Sequence, residues 1–330
     1  MNGGASGPVP LRVQGAVYGA ALFSNTIPNM TWVALPLWVL TFDVSPFMIG
    51  VALGCRNLLP VLLSIHGGAL MDRLGTRRVM LFFGEISMIS PLMFPLAPYM
   101  PALIALQLIG GLADSMGWIG AQTLVGQLMK GDAKYTGRMS FCTRIGMFSG
   151  PPLLGAGWDI FGPWGAFGMM GLWGGGIFLS TLLLPADAAP APQRGAPVTL
   201  RDLMPSVADY IAAFRLFAIP ALAFVMLISV ARHVGAAIQG SFYVVYLEGI
   251  GVSGTVIGLM MTAAGVLGLA GSLSAAPMLR FAASHWLLLW TTVATLVFVV
   301  ITPLLEDIPL LLAASGIRGW ALAASLVFLI

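Results

Sequence analysis

The stretch GGALMDRLGTRR, Gly67 to Arg78, decides how this chain is read. One acid and three arginines are packed into a short segment between two predominantly apolar runs, 46–70 and 78–98. Each flank reaches the roughly 20 residues that an α-helix needs to cross about 30 Å of hydrocarbon. Backbone polar groups in lipid must be satisfied within their own segment, and these runs are too long for barrel strands, so both are helices. A charged turn of this kind joins two membrane helices at one face of a bilayer.

Working outward, the same alternation recurs along the chain. Ten spans are predicted, at about 13–41, 46–70, 78–98, 101–129, 138–160, 164–185, 212–247, 253–279, 284–304 and 308–330. The composition agrees: 330 residues are 58% hydrophobic and only 8% charged, with a mean hydropathy of +0.95. A soluble domain carries about 25% charged residues, so a soluble enzyme, a secreted disulfide scaffold and a disordered chain are all excluded. Cys55 and Cys142 fall inside apolar runs and indicate no disulfide framework. The net charge of +3 points to no nucleic acid, because position matters more than the sum. The first span is far longer than the apolar core of a cleaved signal.

One connection is long. Pro185 to Asp202, PADAAPAPQRGAPVTLRD, reads as a linker. It divides a six-helix bundle, 1–185, from a second bundle, 212–330, with the cytoplasmic linker over 186–211. Arg12, Arg73, Arg77, Arg78, Lys130, Lys134, Arg138, Arg194, Arg201, Arg215 and Arg280 gather at one set of span ends; the opposite loops carry Asp43, Asp159, Glu248, Glu306 and Asp307. That asymmetry places the N-terminus and the linker in the cytoplasm of a multi-pass cell-membrane protein, inner or plasma membrane. A repeat supports two halves: Ser45 to Gly50 opens the second span and Ser253 to Gly258 the eighth, while Arg73 and Arg280 close them. The chain stops inside an apolar run at Leu326 to Ile330 with no basic flank. The second half is therefore expected to be incomplete, about four helices, with two more missing.

The Gly67–Arg78 loop resembles the signature loop of the major facilitator superfamily, G-x-L-x-D-R-x-G-x-R-R, with Gly68, Leu70, Asp72, Arg73, Gly75, Arg77 and Arg78 in place. Its physical logic is readable independently. Gly67 and Gly68 allow close helix approach, Gly75 a tight turn. Asp72 can accept from a neighbouring helix N-terminus, and the arginines reach anionic headgroups or a carboxylate. On the fifth span, Gly137, Gly146, Gly150, Pro151 and Gly155 resemble the glycine-proline pattern of the family's antiporter branches, although Leu154 stands where that pattern prefers a small residue. Generic helix packing is the other reading of that run. Many proton-coupled members carry an arginine on the fourth span, four residues before a glycine; here Gln107 precedes Gly111. A neutral amide cannot hold a carboxylate charged, which puts proton coupling by that device in doubt.

Charge at mid-depth is costly, about 2.5–3.5 kcal/mol on an insertion scale, and normally faces a cavity or a partner. Arg56, Asp114, Arg232 and Arg318 are such groups on spans 2, 4, 7 and 10. For Arg56 and Asp114, a structural ion pair and a ligand role both stand. Arg144 and Glu85 lie nearer span ends and can snorkel. Stripes at helical spacing accompany them: Tyr18, Asn25, Asn29 and Trp32; Gln107, Asp114, Trp118 and Gln122; Arg232, Gln239, Tyr243 and Tyr246. Such stripes avoid lipid, where each amide would go unsatisfied. In the resembled fold, spans 1, 4, 7 and 10 line the central cavity. The expected cavity residues are therefore Asn25, Asn29, Arg56, Asp114, Trp118, Arg232, Gln239, Tyr243 and Arg318. His66 and His233 are candidate proton carriers or simply satisfied polar residues.

No phosphate-binding loop, HExxH, GxSxG or CxxC occurs in the sequence, and no cofactor, metal or catalytic set is implied. The expected fold is an all-α integral membrane protein of the major facilitator type. The expected function is secondary active transport of a small solute by alternating access, of an organic anion or of a drug-like molecule, in the direction of efflux or antiport, with H+ or another ion as coupling partner and a monomer as the working unit. The alternatives are an intramembrane lipid-handling enzyme and a non-transporting membrane sensor.

Overall fold

The computed structural model describes residues 9–42, 44–130, 133–185, 211, 214–215, 218–220, 223, 243–305 and 307–329. Among them there is helix and no strand. The helices are α1 Leu11–Val39, α2 Pro46–Cys55, α3 Leu58–Leu74, α4 Thr76–Met93, α5 Met100–Met129, α6 Ala133–Leu182, α7 Gly254–Met278, α8 Ser284–Ile301 and α9 Ile308–Leu329. Among the described residues five helices are long and apolar enough to cross a membrane, or six if a bent pair forms one span. Predicted spans 1, 3, 4, 8, 9 and 10 correspond to α1, α4, α5, α7, α8 and α9, while most of span 7 lies outside the described residues.

Two expected boundaries differ. The second span is not one helix: it breaks between Cys55 and Leu58, and further along a bend of 60° separates 47–63 from 66–74. Arg56 is the C-cap of α2, so it sits at an interruption rather than in a helix interior as its distance from the span ends suggested. Spans 5 and 6 have no loop between them. They are two arms of α6 that reverse at Gly162, whose φ of 60° and ψ of −147° only glycine adopts readily. Pro163 follows at once, and the arms stay close because Gly157 and Gly165 meet backbone to backbone.

Hydroxyl groups in an apolar surrounding need a local acceptor, and the helix supplies one at i−4. Thr26, Thr181, Thr262, Thr291, Thr295 and Thr302 all donate to that carbonyl. The predicted repeat has a structural counterpart. Ser45 and Ser253 are both N-caps, at φ/ψ of −65°/153° and −66°/154°, and each accepts from the amide three residues on.

The chain divides into two compact units, and the division falls inside two helices. Unit 1 comprises 1–29, 42–146 and 167–213. Its hub is α5, packed by α2, α3 and α4. One core cluster joins Val13, Val17, Ala20 and Ala21 of α1 to Ala121, Leu124, Val125 and Met129 of α5. Gly84 of α4 meets the backbone of Phe178, and Gly174 that of Ser87, so the second arm of α6 lies almost in van der Waals contact with α4. Unit 2 comprises 30–41, 147–166 and 214–330. Here α9 packs on α7, with Gly319 against Ala264 and Gly271 against Trp320. The Trp320 indole donates to Ser274 Oγ at 3.1 Å.

Candidate functional site

Among the described residues each unit has one deeply buried arginine, Arg56 and Arg318, and the two are satisfied in opposite ways. In unit 1 the α2–α3 break carries Arg56 against α5. Gly111 makes this possible, because a Cβ there would collide with the Arg56 carbonyl. Arg56 Nη2 donates to Asp114 Oδ2 in an ion pair, and Nη1 donates to Gln107 Oε1 at 3.0 Å. Ser87 Oγ of α4 donates to Asp114 Oδ1 at 3.0 Å. Arg56 and Asp114 are 8% and 4% exposed, and Gln107 is wholly buried. The pair neutralises itself, and three segments contribute to it. The fourth span does lack a cation at position 107, but its neighbour supplies one 3.0 Å away. Gln107 keeps a buried amide nitrogen with no hydrogen bond.

In unit 2, Arg318 of α9 is 7% exposed. Its guanidinium lies 5.0 Å from the Tyr243 ring centroid, in cation–π range. Among the described residues it has neither a salt bridge nor a hydrogen-bond acceptor. The Tyr243 hydroxyl and Ser315 Oγ share a hydrogen bond of 2.6 Å, and Met260 Sδ is 3.6 Å from the same hydroxyl. Tyr243 and Ser315 are buried too. A cation held by a π-face alone retains most of its demand for an anion. Arg232, His233 and Gln239 lie outside the described residues. Tyr246, from the same predicted stripe, donates to the carbonyls of Pro303 and Leu305 at 3.3 and 3.4 Å.

The remaining cavity candidates are in unit 1. Asn29 Nδ2 donates to the Asn25 carbonyl at 2.9 Å, a bond within α1. Trp118 packs against the α1–α5 core cluster. His66 has a buried Nε2 with no partner. Glu85 and Arg144, expected to snorkel, are exposed.

The motif loop divides its labour. Gly75 turns the chain at φ 89°. Arg77 Nε and Nη2 donate to the carbonyls of Leu184 and Leu182 at 3.0 and 3.2 Å, a cation at the C-terminal end of α6. Thr76 Oγ1 donates to Gln127 Oε1 at 3.3 Å. Gly67 admits Met116, whereas Gly68 faces open space. Asp72, Arg73 and Arg78 are exposed. The expected bond from Asp72 to a helix N-terminus is absent among the described residues; the nearest N-terminus in sequence, that of α4, is capped by Gly75 at a positive φ.

The glycine-proline motif of the fifth span sits on the first arm of α6. Gly146 receives Thr26 and Leu22 in unit 1, and Gly155 receives the Gly254 backbone of α7 in unit 2. Pro151 lies within the arm, with its carbonyl against Gly258, and Gly150 beside it is buried. Sequence reasoning missed Asp159, which it treats only as a loop acid. Asp159 Oδ1 accepts from the Gly254 amide at 2.8 Å, and Oδ2 accepts from the Thr255 amide at 2.8 Å and the Thr255 hydroxyl at 2.6 Å.

Residues 17–330 match the Major Facilitator Superfamily. The chain belongs to this family. Solved structures show the same fold at low identity. A nucleoside transporter, NupG (D323A mutant), superposes with a TM-score of 0.76 at 15% identity, covering 96% of this chain and 81% of that one. A bacterial homolog of the human lysosomal transporter Spinster gives 0.73 at 19%, over 98% and 75%. A D-xylose–proton symporter gives 0.62 at 15%, over 96% and 80%. No curated protein matches the sequence. Family membership makes this chain a multi-pass membrane transporter of the secondary type, not an enzyme.

Proposed function

We propose that this facilitator-family protein carries a small organic anion, exporting or exchanging it by alternating access between two helical halves, 1–185 and 212–330. The observation that carries the reading is Arg318: a guanidinium 7% exposed, stacked on Tyr243, with no anionic partner among the described residues. A cargo carboxylate or phosphate would offset that burial while the Tyr243 ring accepts its apolar body. The Arg56–Asp114 pair, neutral overall, braces unit 1 and leaves the cargo charge to unit 2. The basic loops place the N-terminus in the cytoplasm of a cell-membrane protein, and the chain works as a monomer coupled to H+ or another ion. A second reading, a neutral aromatic drug-like cargo, is favoured by Met260 beside Tyr243.

Counterflow in proteoliposomes separates them. Labelled benzoate and glycerol 3-phosphate serve as anionic probes, uridine and xylose as neutral ones. The anion reading expects exchange of an anionic probe that Arg318→Gln loses at least tenfold and Arg318→Lys partly retains. Exchange of neutral probes alone, or full activity in Arg318→Gln, overturns it.

A further inference from the structure

Asp159 ends the first arm of α6, and its carboxylate is spent entirely on α7, 95 residues further along the chain. Three donors converge on it: two free amides of the α7 N-terminus and the Thr255 hydroxyl. The first amides of a helix have no intrahelical acceptor, and the helix dipole favours an anion there. Ser253, the local N-cap, reaches Val256 instead, at 3.5 Å. The two caps therefore divide the orphan amides between them, one local and one borrowed from another helix. Ser45 caps α2 with the same backbone geometry, yet no carboxylate joins it among the described residues.

Below this cap the two helices touch along their length at glycines. Gly155 meets the Gly254 backbone, Gly258 meets Pro151 and Pro152, and Gly265 receives the Phe148 ring. Thr262 Oγ1 donates to the Phe148 carbonyl at 2.9 Å. Small-residue faces of this sort slide or part at little cost, since few interdigitated side chains must repack. The charged cap is thus the strongest single tie across the contact, and it lies at one end of it.

We propose that Asp159 is a releasable latch, holding the first arm of α6 on the N-terminus of α7 in one conformation and letting go in the other. The inference rests on the transport reading, in which the first arm of α6 and α7 come from different sequence halves and must part during the cycle. Proline inside the α6 arm, at Pro151 and Pro152, lets that arm bend where the contact begins. Release of the carboxylate strands two amides, so the open conformation is the less populated one until cargo or a coupling ion shifts the balance.

The test uses spin labels on Ile160→Cys and Leu259→Cys in a Cys55→Ser, Cys142→Ser background of the full chain in nanodiscs, read by double electron–electron resonance. Both label sites are exposed, at 70% and 46%. Asp159→Ala should raise the long-distance population at least tenfold, a change of about 1.4 kcal/mol. Thr255→Val, which removes one bond of the three and leaves both amide bonds, should give a smaller shift in the same direction and serves as readout should Asp159→Ala fail to fold. Identical distance distributions in folded Asp159→Ala or Thr255→Val and the parent overturn the latch. Counterflow of the four probes above is measured in parallel. A parent protein that exchanges none of them defeats the transport reading without touching the distance result.

Discussion

Replacing Asp114 by Asn isolates the energetics of unit 1. The substitution keeps size and shape, and leaves Ser87 a partner, but removes the charge that answers Arg56. The side chains of the pair are 10% and 5% exposed, so solvent screens them little. Removing one partner of such a pair leaves a buried charge unanswered and costs about 3–5 kcal/mol. For a chain of this size, at roughly 2 °C per kcal/mol, the melting temperature in detergent should fall by about 6–10 °C. Arg56→Met should cost a similar amount by stranding Asp114. The double variant Arg56→Met/Asp114→Leu strands no charge, only the Gln107 and Ser87 side chains, and apolar replacement of a buried pair is about neutral. It should melt within about 2 °C of the parent, giving a coupling energy of several kcal/mol by a double-mutant cycle. A double variant as unstable as the sum of the singles would refute the reasoning, as would an Asp114→Asn cost below about 1 kcal/mol.

Three further outcomes follow from the same geometry. Gly162→Ala, at φ 60° and ψ −147°, should lose about 1–3 kcal/mol of stability in detergent melts, whereas Gly137→Ala, with nothing within 4 Å of its Cβ, should be neutral or slightly stabilising. Arg77→Ala frees the carbonyls of Leu182 and Leu184 and should cost about 1 kcal/mol in low salt, less in 1 M salt, when the two melts are compared. Arg318→Met should hold or raise the melting temperature while abolishing anion counterflow, because it removes a buried cation that stability does not need.

The helices were legible because membrane crossing imposes length and apolarity on contiguous residues, which a linear reading sees directly. Gln107 and Asp114 share a face by their spacing of seven, and the structure places both on Arg56. What escaped the reading is set across the chain. Hydropathy does not register the break at Cys55 to Leu58, since Arg56 and Asn57 are two polar residues in an apolar run; it needs the open face of Gly111 to receive it. Gly162 and Pro163 fall between predicted spans 5 and 6, yet nothing local says that the two arms pass without a loop. Asp159 carries no motif at all. Its meaning lies in amides at Gly254 and Thr255, and its only trace in the sequence is one acid at a span end that a neutral residue would serve as well.

The central claim is that Arg318 meets water and cargo although it is buried in a membrane-embedded bundle. The direct measurement is the reactivity of Arg318→Cys, in the background lacking Cys55 and Cys142, toward a small membrane-impermeant methanethiosulfonate in sealed proteoliposomes. The account predicts labelling of the folded protein within minutes, slowed by any anionic probe that the parent exchanges. A thiol at position 318 that stays unlabelled until the protein is denatured would contradict it.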